Sequence, residues 1–170
     1  MKNIAILFFL LALTLNIQAQ NPLISEFEKA LDLTDKAREH AQNTAQNLGF
    51  FNGAADLEEI KYHNFEVRSE MDSLYIYTIK AEYKATDIAY AASKLNQKFT
   101  QKQADSAREL LNTATKSINE SRNKLDLIFD ELSLENVDIQ SNQAIEYFNM
   151  ANRQLKQAER ELKAALKTLK

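Results

Sequence analysis

The residues best suited to chemistry form one stripe of ionisable side chains. Glu59, His63, Glu66 and Glu70 are three or four residues apart, so they fall on one face of a helix. Carboxylate and imidazole groups in this arrangement can hold a single metal ion. The same spacing also fits a solvated helix face, so both interpretations stand.

Other catalytic chemistries lack the residues they need. A di-iron bundle uses Glu-x-x-His motifs, but Ala37 and Ile60 stand three residues before His40 and His63. The chain has no cysteine, no phosphate-binding glycine loop, no Gly-x-Ser-x-Gly motif and no attachment motif for c-type haem. We therefore predict that the protein is not an enzyme, with no catalytic residues, no metal site and no cofactor.

A metal- or haem-binding bundle remains as an alternative from a different class. A non-covalent haem held between a histidine and a methionine needs the two ligands on opposite sides of the iron. His63 and Met71 are eight residues apart on one predicted helix, which cannot supply both sides. His40 and Met150 lie on different predicted helices, and their pairing is an assumption that the sequence does not support.

Four of the six tyrosines lie in one stretch, residues 73–90, which reads SLYIYTIKAEYKATDIAY. Its β-branched and aromatic residues favour a strand. Its hydrophobic period favours a helix, because a seam of positions three and four apart runs through it without a break. These positions are Leu57, Ile60, Asn64, Val67, Met71, Leu74, Thr78, Ala81, Ala85, Ile88, Ala92, Leu95 and Phe99.

The same period recurs in three other segments, which begin at Phe27, Ala104 and Ala144. The predicted helices span about 22–48, 54–98, 101–132 and 139–169. Their predicted boundaries are an Asn21-Pro22 start, a turn at 49–53, a capping box at 100–103 and an Asp138 cap. We predict an all-α fold, an elongated antiparallel bundle of four helices with coiled-coil-like heptad packing, in which the second helix is longest and central.

The second predicted helix carries apolar residues on the face opposite its seam. These residues are Tyr62, Phe65, Ile76, Ile79, Tyr83 and Tyr90. Neighbouring helices could pack them, or they could form a binding surface, since tyrosine offers a large contact area at low entropic cost. The shorter first helix is expected to end before Tyr83 and Tyr90, which would leave both exposed.

The last predicted helix carries a basic stripe of Arg153, Lys156, Arg160, Lys163, Lys167 and Lys170. This stripe fits a solvated face, on which Lys163→Glu would leave the melting temperature nearly unchanged. It also fits a contact with an anionic lipid or polymer. Antiparallel packing brings it to the same end of the rod as Tyr83 and Tyr90. The predicted binding residues are Tyr83, Tyr90, Arg160, Lys163 and Lys167.

The amino-terminal segment has the pattern of a secretory signal peptide. Lys2 precedes an apolar run from Ile4 to Leu15, and Ala19 lies at a plausible cleavage point. We predict residues 1–19 as the signal peptide, cleavage near Ala19/Gln20, and residues 20–170 as one domain that is periplasmic or secreted. No later segment is apolar enough to span a membrane.

Composition narrows the class of partner. Without Lys2, 20 basic residues stand against 24 acidic ones, a net charge of −4. Such a chain has no general attraction to nucleic acid. With 45% hydrophobic residues, two glycines and one proline, it is neither disordered nor rich in turns.

In its export pattern and its roughly 150 helical residues, the chain resembles periplasmic helical chaperones of the Spy and Skp types. It has neither the Leu-Thr-x-x-Gln repeat of the Spy type nor an N-terminal strand pattern of the Skp type. The resemblance therefore implies client binding only as an alternative. Our main expectation is a binding or scaffolding protein of the cell envelope, whose partner is another envelope protein, an anionic envelope component or a second copy of itself.

Overall fold

The chain is almost entirely helical. The structure, a computed structural model, describes the backbone of residues 2–54, 56–131 and 133–170, and the side chains from residue 22 onward within these ranges, apart from residues 52 and 53. The elements are α1 (Lys2–Gly49), a short 3-10 helix (Phe50–Gly53), α2 (Leu57–Lys94), α3 (Lys98–Asp130) and α4 (Leu134–Leu169). Over the described backbone there is no strand, and residues 73–90 lie within α2. The predicted all-α class and the helical tyrosine segment are confirmed.

The four helices form a closed antiparallel bundle. The neighbouring pairs are α1 with α2, α2 with α3, α3 with α4, and α4 with α1, while α2 and α4 lie across a diagonal and barely meet. Interhelical bonds confirm the antiparallel directions of two of these pairs. Between α1 and α2, Glu26 binds Lys84 and His40 binds Glu70. Between α1 and α4, Glu28 binds Lys170 and Arg38 binds Glu159.

The second helix is the longest of the predicted domain, but it is not central, contrary to our prediction. It has 38 residues against 33 in α3 and 36 in α4, whereas the 48 residues of α1 include the predicted signal peptide. It occupies one corner of the bundle with two principal neighbours, as each other helix does. The helix predicted over 54–98 ends at Lys94, because the chain turns through Asn96 in the left-handed region (φ 54°). Asparagine tolerates this conformation better than most residues.

The predicted seams form the core. Of the thirteen seam positions in the second predicted helix, only Leu57, Leu95 and Phe99 are not buried. The seam threonines Thr34, Thr44 and Thr78 satisfy their hydroxyls by donating to the carbonyl four residues earlier. These threonines thus let the helices approach closely while their own hydroxyl groups stay paired.

The start of the first helix differs from the prediction. α1 begins at Lys2 and runs continuously through the predicted leader, with Pro22 inside the helix. Pro22 is unfavourable inside a helix, because it removes one backbone bond and its ring clashes with the carbonyl four residues earlier, but leucine and alanine in the leader favour a helix. Asn21-Pro22 therefore does not mark a helix start in this chain.

Two other predicted caps are also wrong. Thr100 is buried inside α3, which begins at Lys98, and Asp138 lies within α4. The true cap of α4 is Ser133, whose hydroxyl accepts a hydrogen bond from the Asn136 N–H at 3.3 Å. α2 is capped in the same way by Asp56, which accepts from the Glu59 N–H at 2.9 Å.

Candidate functional site

The outer face of α2 carries five of the exposed large hydrophobic side chains among the described residues. Tyr62, Phe65, Ile76, Tyr83 and Tyr90 are 66, 71, 49, 68 and 66% exposed. Together with Ile79, which is half-buried, they continue a step of three and four residues along the helix, and we call these six residues the outer stripe. From Tyr62 to Tyr90 the stripe extends about 42 Å along a helix that rises 1.5 Å per residue.

Tyr83 and Tyr90 are exposed as predicted, but for a different reason. The Glu26–Lys84 ion pair (2.8 Å) shows that α1 runs alongside α2 past Tyr83. The two tyrosines are exposed because they point away from the bundle, on the side of α2 opposite its buried seam. The length of α1 therefore has no part in their exposure.

The helix that carries the outer stripe is held firmly against its neighbours. On the α3 side, Arg122 binds Asp72 at 2.7 Å and lies over the Tyr75 ring at 4.9 Å. Arg68 binds Asp126 of α3 at 3.0 Å. These contacts fix the direction in which the outer stripe faces.

The ends of the outer stripe carry further aromatic and cationic groups. The His63 ring stacks on Phe50 at a centroid distance of 4.9 Å and meets Tyr62 edge-on at 5.5 Å. At the other end, the Lys94 ammonium lies 5.2 Å from the Tyr90 ring centroid, within cation–π range.

Of the predicted basic residues, Lys163 is held by a network between α4 and α1. Glu159 is buried, and it accepts hydrogen bonds from Lys163 and, at 2.5 Å, from Arg38 of α1. Burial alone would raise the pKa of Glu159, but the Lys163 hydrogen bond and the Arg38 charge outweigh burial and lower it. The hydrogen bond to Glu159 in turn raises the pKa of Lys163.

Arg160 and Lys167 are exposed on α4, and neither forms an ion pair within the described residues. They lie towards the same end of the rod as Tyr83 and Tyr90, as predicted. However, α2 and α4 are diagonal partners, so their outer faces point to opposite sides of the bundle. The structure brings Tyr83 and Tyr90 together on one surface and Arg160 and Lys167 on another, and it does not combine the two pairs.

The ionisable stripe of α2 does not converge on one point. Glu70 turns to α1, where its carboxylate lies 2.7 Å from His40 Nδ1 and accepts from the Asn43 amide at 3.3 Å. Glu66 lies 3.6 Å from His63 Nδ1. No group of three or more metal-ligating side chains comes together in the part of the chain that the structure describes.

Two polar clusters were missed by the sequence analysis. The first joins His40 and Glu70, with His40 stacked on Tyr77 at 5.4 Å, and the second is the Glu159 network. Both lie at the edges of buried seams, since Arg38 follows Ala37 and Glu159 follows Ala158. A correct antiparallel register between α1 and α4 would have paired Arg38 with Glu159.

None of the helices, over the residues whose side chains the structure describes, is long and apolar enough to cross a membrane. No family model matches the chain, and no curated protein or solved structure is significantly similar to it. The surfaces of this bundle are therefore the basis for inferring its function.

Proposed function

We propose that this chain is an exported, non-enzymatic protein that works by binding or scaffolding in the cell envelope, with the outer stripe of α2 as its binding face. The observation that carries this proposal is the exposure of Tyr83 and Tyr90 on a helix whose opposite face is fully used by the core. A helix needs only one apolar face to pack into a bundle, so the apolar side chains of the outer stripe are free to contact a partner.

The outer stripe suits the recognition of a folded, helical surface. Its side chains stand on a helix fixed by ion pairs to α3, so little backbone ordering is needed on binding. Aromatic residues of this kind dominate the energetic centres of protein interfaces. A chaperone that cradles unfolded clients stays the alternative, since the same exposed side chains could contact an unfolded chain.

A second candidate is a contact between α4 and an anionic envelope component. Arg153 and Lys156 line an open groove of about 580 Å³ together with Ile145, Glu146 and three asparagines of α4. Arg160 and Lys167 extend the positive charge along the same helix. Such a contact would weaken with salt, because exposed charges are screened over about 8–10 Å.

The test of the binding face is photo-crosslinking in cells that export the protein. A photoreactive residue replaces Thr86, which is exposed between Tyr83 and Tyr90, and in a control replaces Asn123, which is exposed on α3. We expect a discrete adduct from position 86 only, and we expect Tyr83→Ala with Tyr90→Ala to abolish it while the helical circular dichroism stays unchanged. An absent adduct, or an equal one from Asn123, would reject the outer stripe as a binding face.

A further inference from the structure

We infer that the occupant of the outer stripe is a second copy of this chain, packed antiparallel through α2. This inference rests on the proposed binding face and adds the identity of the partner. It is carried by the apolar area of the outer stripe, by the distribution of charge along the rod, and by the pattern of large and small residues in α2.

The apolar area is close to what a stable dimer needs. Five members of the outer stripe are between 49 and 71% exposed. With roughly 200 Å² for a large side chain, these fractions amount to about 600 Å² per copy. A stable interface buries about 800 Å² per partner, so the flanking side chains of α2 need to supply only the remainder.

The charge of α2 and its two neighbouring helices favours one orientation. At one end, residues 56–66 and 124–131 carry seven acidic residues against two lysines. At the opposite end, residues 22–29 and 94–108 carry five basic residues against three acidic ones. Two copies side by side in antiparallel orientation place each acidic end beside a basic end, whereas a parallel pair would place like charges together.

The residue pattern of α2 favours one register. A two-fold axis at Ile76 sets Tyr62 against Tyr90 of the second copy and the small Ser69 against Tyr83, and it also sets Phe65 against Asp87. The outer stripe lacks a large side chain at Ser69, and antiparallel pairing fills this gap with a tyrosine ring.

The same register pairs opposite charges. Asp72 comes opposite Lys80 of the second copy, and Glu58 comes opposite Lys94. In a parallel pair, Asp72 would face Asp72 and the gap at Ser69 would face itself. A two-fold dimer contains each of these contacts twice, so the advantage of the antiparallel pair over the parallel one is doubled.

The first experiment measures the mass of the protein purified from the envelope of cells that export it. Sedimentation equilibrium is expected to give twice the chain mass, and Ile76→Asp is expected to give the mass of one chain with unchanged helical circular dichroism. Leu127→Asp serves as the matched control, since Leu127 is a similarly exposed residue on α3, and this variant should remain a dimer. A wild-type monomer over the micromolar range would overturn the inference.

The second experiment determines the orientation and uses the absence of cysteine from the chain. Ser69→Cys alone should form no disulfide dimer, while a mixture of Ser69→Cys and Tyr83→Cys should form a mixed disulfide under mild oxidation. A homodimer from Ser69→Cys alone would indicate a parallel pair and would contradict the inference.

The outcomes for the partner and for the binding face can be told apart. If the photoreactive residue at position 86 captures a different protein and the purified chain is a monomer, the second copy is rejected and the binding face stands. If it captures nothing, the binding face itself is rejected.

Discussion

At the residue scale, the buried carboxylate of Glu159 is the most consequential polar group of the bundle. It links α4 to α1 through Arg38 and also holds Lys163. Replacement by glutamine keeps the shape but removes the charge, and we expect a loss of about 1–3 kcal/mol in the free energy of unfolding at neutral pH. Urea unfolding of Glu159→Gln measures this loss, with Glu161→Gln as a control of small effect.

The pH dependence of this loss follows from the lowered pKa of Glu159. Because the folded pKa is below the unfolded one, the carboxylate stabilises the fold above its unfolded pKa, and this contribution disappears as pH falls through the folded pKa. Wild type and Glu159→Gln should therefore differ at neutral pH and converge in acid. A difference that is constant from pH 7 to pH 2 would show that the charge is not responsible.

Lys163 and Lys167 should respond differently to the same substitution. The sequence pattern places both on one basic stripe and predicts a silent Lys163→Glu. The structure instead pairs Lys163 with Glu159, so Lys163→Glu sets two carboxylates together. We now expect Lys163→Glu to lower the melting temperature by several degrees and Lys167→Glu to leave it within about 1 °C, since isolated surface charges contribute little. Equal shifts would contradict the role of Glu159.

At the element scale, the seams divide inner from outer positions sharply. Leu125 is fully buried in α3, whereas Leu127, two residues later, is 45% exposed. We expect Leu125→Asp to unfold the bundle and Leu127→Asp to preserve it, because a lone buried charge costs more than the usual stability of a domain of this size. Circular dichroism at 25 °C distinguishes the two, and folded Leu125→Asp would invalidate the seam of α3.

A buried asparagine interrupts the seam of α2. The Asn64 amide donates to the Leu125 carbonyl at 2.7 Å, while its Oδ1 has no partner within the described residues. Asn64→Leu removes this unpaired oxygen and should raise the melting temperature, but it also removes a bond that fixes α2 against α3. We expect broader amide NMR signals in α2 of this variant. Asn119→Leu, on the exposed face of α3, should change neither property.

The sequence predicts the helices and their buried faces well, because the hydrophobic period of each helix is read from many residues that agree with one another. It predicts helix ends poorly because several residues compete for each cap: Ser133 and Asp138 both suit a helix start, and only Ser133 is used. The exposure of Tyr83 was predicted correctly from a wrong estimate of helix lengths. The separation of Tyr83 from Arg160 could not be predicted, because helix period alone does not say which helices are diagonal partners.

At the scale of the whole molecule, the charge separation along the rod gives a prediction of its own for the antiparallel pair. Lys94→Glu should set two carboxylates against each other near Glu58 and weaken dimerisation at low salt. The double variant Lys94→Glu with Glu58→Lys exchanges the two charges and should restore it. Sedimentation at 50 and 500 mM salt checks both, and failure of the double variant to recover would contradict the proposed register.

The diagonal placement of α2 and α4 has a consequence for how many contacts the chain can make at one time. Whatever occupies the outer face of α2 leaves the outer face of α4 open, because the body of the bundle stands between them. If both proposed contacts exist, each chain has two independent binding faces, and a pair joined through α2 would present its two α4 faces in opposite directions. Two weak contacts on one rigid particle gain avidity that neither has alone. A modest affinity at α4 would then be enough to bridge two anionic surfaces.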